Sequence, residues 1–94
     1  MSEQKLRKEL DNLGLNVYAA RMNKGWSQEI LADKAGVSHV TVFRIESGRR
    51  MGIHVTSVLQ VADALDLSIA DLFGERIPIT RHFLPRMKRR NRNA

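Results

Sequence analysis

Residues 26–48 read WSQEILADKAGVSHVTVFRIESG, the pattern of two short helices joined by a tight turn. Ser27 stands where an N-cap belongs, its hydroxyl placed for an orphan amide of a helix that starts at Gln28. Ala32 and Ala35 are small residues on the side that must approach a second helix closely. Gly36 ends the first helix, where a left-handed backbone would penalise a side chain. Val37 fills the corner, Ser38 caps the second helix and Gly48 ends it. Between those caps Val42 and Ile45 point inward at three-residue spacing, which leaves His39, Val40, Phe43 and Arg44 on the outer face.

Outward from this stretch the helical signals continue in both directions. Leu6, Leu10, Leu13 and Val17 form an amphipathic stripe at four-three-four spacing. Gly14 weakens the helix there, so one long helix or two abutting ones both fit, and Gly25 ends the region. Beyond Gly48, the loop Arg49-Arg50-Met51-Gly52 leads to a helix with Val55, Val58, Leu59, Ala62 and Leu65 on one face. Ser68-Ile69-Ala70-Asp71 is a capping-box pattern opening a short last helix through Phe73, which Gly74 stops. Five helices are predicted over residues 1–74. The tail differs: Ile77-Pro78-Ile79-Thr80 is β-prone, its proline fitting only an edge or irregular strand, and Arg86–Arg92 is a basic run.

Bulk properties bound the function. Ninety-four residues make one domain, able to bury roughly 60–65% of its unfolded surface. The absence of cysteine excludes a disulfide framework and a thiolate metal site, and it suits a reducing cytosol. No apolar run approaches the ~20 residues of a membrane span, and MSEQKLRKEL is too charged for a signal peptide. A cytoplasmic protein away from the membrane is expected. The net charge of +6 is unevenly placed: acidic and basic residues cancel over residues 1–74, and the whole excess lies in residues 75–94. Binding to a polyanion therefore depends on local placement in the domain, with an electrostatic arm behind it. His39, His54 and His82 show no metal spacing, and neither a Gly-rich phosphate loop nor a nucleophile–base pairing occurs. The RNP-type aromatic pattern of RNA-binding sheets is missing too. The reading is of a binder, with no enzymatic activity, cofactor or metal.

The segment from Leu13 to Phe73 resembles the Cro/cI-type helix-turn-helix domain of phage repressors, the XRE family. The residues that carry the resemblance are Arg21, Ser27-Gln28, Leu31-Ala32, Gly36-Val37-Ser38, Ile45-Glu46-x-Gly48 and Ala62-x-x-Leu65, in order and at family spacing. The resemblance implies an all-α, five-helix lambda-repressor-like DNA-binding domain with a basic C-terminal tail. Residues 1–12 would be an N-terminal helical extension, 13–74 the helix-turn-helix domain and 75–94 the tail.

Site roles follow from the resemblance and from side-chain chemistry together. Ser38, His39, Val40, Phe43 and Arg44 match the family's base-reading face. Arg44 is able to fork onto guanine O6 and N7, and Val40 and Phe43 to meet thymine methyls. His39 either donates to guanine or accepts from an exocyclic amine, depending on its tautomer. Gln28, Thr41, Arg49 and Arg50 match backbone-contacting positions, Gln28 at an amide-rich helix N-terminus that favours phosphate. His54 adds to these contacts or caps the following helix. Arg21 and Glu46 match a charged pair tied together inside the domain, a structural role.

The implied function is that of a transcriptional regulator, a repressor binding a palindromic operator as a homodimer with the 38–47 helix in the major groove of double-stranded DNA. One recognition helix reads few base pairs, so two copies are needed, with contacts expected after Asp66, including a strand pairing of Ile77–Ile79. The alternative is an antitoxin that binds a toxin through residues 75–94 and autoregulates its operon. A restriction-modification controller on the same fold is a third reading.

Overall fold

The computed structural model describes residues 1–49 and 52–80, and these form five helices without a strand. The tail from residue 81, with its Arg86–Arg92 run, and the loop residues Arg50 and Met51 lie outside the described residues.

Of the two arrangements open at Gly14, the chain adopts one long helix, α1 (Glu3–Lys24). Residues 3–12 thus continue into the domain without a break. Ser2 caps α1 by accepting from the Lys5 amide at 3.0 Å, and Gly25 ends it. Gly14 is there for proximity. A Cβ at this position would lie 2.5 Å from the Ile45 carbonyl oxygen and 2.8 Å from that of Glu46. Only a bare Cα allows α1 to cross the next but one helix this closely.

Helices α2 (Gln28–Ala35) and α3 (His39–Glu46) form the helix-turn-helix. Ser27 and Ser38 cap them as their sequence positions predict, accepting from the Ile30 and Thr41 amides. At Gly36, φ is 73°, and the Val37 amide reaches back to Ala32 O at 3.0 Å, a helix end that closes two orphan carbonyls. Helix α4 (Val55–Ala64) follows, then α5 (Ile69–Phe73), opened by the capping box between Ser68 and Asp71. His54 makes no side-chain cap on α4, so the capping role offered for it is not realised.

The core joins all five helices through Leu13, Val17, Leu31, Val42, Ile45, Val61 and Leu72, each essentially without solvent contact. Helix α1 lies against α3 and α5, and α2 packs on α3 and α4. The inward face of α4 is Val58, Val61, Ala62 and Leu65. Val55 and Leu59, expected inside, are 76% and 49% exposed, and Val61 takes their place.

Beyond α5 the chain does not form the anticipated strand. It runs back along α1, held by three asparagines of that helix. Asn12 donates to Phe73 O and Gly74 O, at 3.2 and 2.9 Å. Asn16, wholly buried, donates to Leu72 O and Glu75 O and accepts from the Ile77 amide at 2.8 Å. Asn23 donates to Pro78 O and accepts from the Thr80 amide at 2.7 Å. The Ile77 and Thr80 amides are consumed within the chain, and Ile77 packs on the core. The segment that was to pair with its symmetry mate is a strap along α1.

Candidate nucleic-acid interface

Helix α3 is short, and its two buried side chains, Val42 and Ile45, pin one face to the core. The opposite face is left to solvent: His39, Val40, Phe43 and Arg44 are exposed, Val40 by 52% and Phe43 by 46%. Half of each of these two apolar side chains is thus open to solvent on a helix anchored to the core by its other side.

Arg44 lies over the loop after α3, its guanidinium so close to Gly52 that a Cβ there would sit 2.7 Å from Nη1. Arg49 places its guanidinium 5.7 Å from the centre of the Phe43 ring. Ser38 Oγ is committed to the cap and also shares a hydrogen bond with Thr41 Oγ1 at 2.9 Å, so these two side chains are tied to each other at the start of the helix.

One continuous polar chain fixes α3 against α1 and α2. Arg21 and Glu46 form a two-pronged pair, Nε to Oε2 at 2.7 Å and Nη2 to Oε1 at 2.9 Å, with both side chains over 90% buried. Arg21 Nη1 also donates to Trp26 O, and its guanidinium stands 5.2 Å from the Tyr18 ring. Glu46 Oε1 accepts a further bond from Gln28 Nε2 at 2.9 Å. Gln28 Oε1 in turn meets His39 Nε2 at 3.0 Å, and Glu29 Oε2 stands 4.0 Å from His39 Nδ1. Four residues singled out in the sequence, Arg21, Gln28, His39 and Glu46, are thereby brought into one network. Glu29 was not singled out, although its place one residue after Gln28 in the first turn of α2 is visible in the sequence. The asparagine strap was missed as well. Its signal is three poor helix formers, Asn12, Asn16 and Asn23, in one long helix.

Among the described residues no group of His, Asp and Glu side chains is arranged to hold a metal ion, and no helix is long and apolar enough to cross a membrane.

A two-helix unit of this geometry, with an exposed outer face on its second helix, is what a family model for helix-turn-helix proteins describes, and that model matches residues 17–72. The chain belongs to the helix-turn-helix family. It is a DNA-binding transcriptional regulator of the XRE class. Two solved structures resemble it. The restriction-modification controller protein C.AhdI from Aeromonas hydrophila is 33% identical, with 70% of this chain and 98% of that one covered and a TM-score of 0.63. The hypothetical transcription factor NHTF from Neisseria is 34% identical over 78% of this chain and 79% of that one, with a TM-score of 0.62. A search of curated proteins finds no match.

Proposed function

We propose that this helix-turn-helix regulator is a repressor that binds a palindromic operator as a homodimer, with α3 in the major groove. The observation that carries the reading is the outer face of α3. His39, Val40, Phe43 and Arg44 project from a helix locked in place by two buried apolar residues and the Arg21–Glu46–Gln28 chain. Side chains presented this rigidly suit base edges, where a small displacement breaks the hydrogen-bond geometry. Arg44 takes guanine, Val40 and Phe43 take thymine methyls, and Ser38 sits at the groove wall. Gln28, Thr41, Arg49 and Arg50 meet the phosphates on either side, setting register without reading sequence.

The second copy is seated on an apolar groove of about 390 Å³ between the start of α1, the start of α4 and α5. Leu6, Leu10, Val55, Leu59, Ile69 and Phe73 line it, and within the monomer Val55 stays 76% and Leu59 49% exposed. This replaces the strand pairing of Ile77–Ile79, whose amide at Ile77 is already bonded to Asn16.

Selecting bound duplexes from a random library tests the reading. Two half-sites should emerge about 34–36 Å apart. Arg44→Ala should abolish one base preference in each half-site, at about 1–3 kcal/mol. A uniform fall in affinity over all sequences would assign Arg44 to phosphate and overturn the base-reading role.

The likeness to C.AhdI favours one second reading, that the operator controls a restriction-modification operon. The toxin-binding reading rested on residues 75–94, most of which lie outside the described residues.

A further inference from the structure

Helix α3 ends at Glu46, and the chain then turns back so that Gly52 lies against the side chain of Arg44. A Cβ on Gly52 would stand 2.7 Å from Arg44 Nη1 and 3.2 Å from both Cδ and Cζ. These three heavy atoms are the nearest to that position, and they run along the outer end of one side chain. The guanidinium and its last methylene therefore lie across a bare Cα. Gly52 adopts φ 80°, a backbone conformation open to glycine, and Arg44 occupies the place its missing side chain would fill.

This seat answers a need of the chemistry. An arginine has several rotatable bonds, and Arg44 is exposed to solvent. A fork that meets two acceptors on one base edge must nevertheless point in one direction. The obstacle at Gly52 also differs in kind from that at Gly14, where the missing Cβ faces backbone carbonyls. Here it is the movable end of a side chain. An added methyl group is accommodated when the arginine swings aside, so its effect falls on where Arg44 points, on top of the strain of a Cβ at positive φ.

We propose that Gly52 determines specificity: its bare Cα is the seat that aims Arg44 at a base edge, and a side chain there redirects the arginine and loses the base it selects. The inference rests on the reading of Arg44 as a base contact. Gly52 is a positioning residue in it, acting on base choice through the side chain it carries.

The experiment has two independent arms. In the free protein, proton NMR should show nuclear Overhauser contacts between the Gly52 α protons and the Arg44 δ protons, and their absence overturns the seat without involving DNA. In the second arm, duplex selection compares wild type, Arg44→Ala, Gly52→Ala and Gly52→Asn, with both Gly52 changes repeated on the Arg44→Ala background. Asparagine brings the same Cβ but tolerates positive φ, so it carries the test should the alanine variant fail to fold. Either Gly52 change should cut the preference at the Arg44 position about tenfold, the size of one base-edge contact, while the rest of the half-site keeps its bases. On the Arg44→Ala background the same changes should alter no base preference, since no arginine is left to aim. A folded Gly52 variant that keeps the wild-type preference at that position overturns the inference. So does a loss of affinity shared by all sequences and repeated on the Arg44→Ala background, which would place the effect in the loop backbone. If Arg44→Ala itself leaves every base preference intact, the reading beneath the inference fails instead, and the seat has no part in recognition.

Discussion

Replacing Gly14 by alanine sets two known effects against each other inside one helix. Alanine in a helix interior is favoured over glycine by about 0.8–1 kcal/mol, so on propensity alone the variant gains stability. The structure opposes this. The added Cβ would stand 2.5 Å from Ile45 O and 2.8 Å from Glu46 O, against 3.4–4 Å for ordinary van der Waals separation. Both obstacles are backbone carbonyls of the last turn of α3, which cannot swing aside as a side-chain tip would. The two helices must separate by roughly 1 Å, which loosens Val17 and Ile45 and stretches the Arg21–Glu46 pair that spans the same crossing. Overpacking of this kind costs about 1–3 kcal/mol, with a rigid obstacle placing it at the upper end. Set against the propensity gain, the net destabilisation is roughly 2 kcal/mol. For a domain of this size that lowers the melting temperature by about 8–16 °C. Thermal unfolding followed by circular dichroism reads it directly. A variant that melts at or above wild type would refute the close crossing of α1 and α3.

Three further outcomes are expected. Arg21→Ala and Glu46→Ala should each cost about 3–5 kcal/mol, since each strands a buried charge, and the double mutant should recover part of that cost in a thermal-melt cycle. The backbone amide of Ser68, and then its hydroxyl, hold the Asp71 carboxyl below its ordinary value of 3.8. A carboxyl lowered in the folded state stabilises the fold above its ordinary value and ceases to as pH falls through the lowered one, so the small deficit of Asp71→Asn at neutral pH should shrink and vanish in melts at increasingly acid pH. Leu59→Glu places a charge in the apolar groove without touching the core, and sedimentation should show a monomer whose melting point is near that of the wild type. A dimer unaffected by this change would move the interface elsewhere.

The parts of the fold that were legible are those governed by neighbours in the chain. Ser27, Ser38 and Ser68 cap helices because a hydroxyl and an amide three residues on are enough to make the motif. Gly25 and Gly36 end helices for equally local reasons. Relations across the fold were visible only where the family resemblance carried them, as with Arg21 and Glu46. Gly14 read as a weak point, because its justification lies in carbonyls more than thirty positions away. The strap's partners were illegible for the same reason: the three asparagines mark the helix, but Asn16 bonds to residues 72, 75 and 77, and its neighbours in sequence do not name them. On α4, periodicity marked an apolar face without saying what covers it. Val58, Ala62 and Leu65 meet the core, while Val55 and Leu59 belong to the same apolar set and face out. A stripe meant for a partner obeys the same spacing as one meant for the interior.

The strap also changes how the basic tail must be tested. A cut after Gly74 removes every charge of the +6 surplus, and it also strips the Ile77 and Thr80 amides from Asn16 and Asn23 and lifts Ile77 off the core. Any weakening of DNA binding would then mix electrostatics with a destabilised domain. A cut after Thr80 separates the two. It leaves the strap whole and removes Arg81, Arg86, Lys88, Arg89, Arg90 and Arg92, six positive charges with no acid among them. The strap also says where those charges enter. Thr80 is tied to Asn23 in the last turn of α1, four residues before the cap of α2 and the Gln28 helix start proposed to meet phosphate. Residues 81–94 lie outside the described residues, but their point of departure is on that side of the domain. Truncation after Thr80 should leave the melting temperature unchanged and flatten the salt dependence of operator binding, by about 0.9 in log–log slope for each phosphate the tail no longer neutralises. Base preferences should stay as they were, since binding to phosphate carries no direct sequence information. A slope that does not change on truncation would show that the tail leaves the domain beside the DNA without touching it.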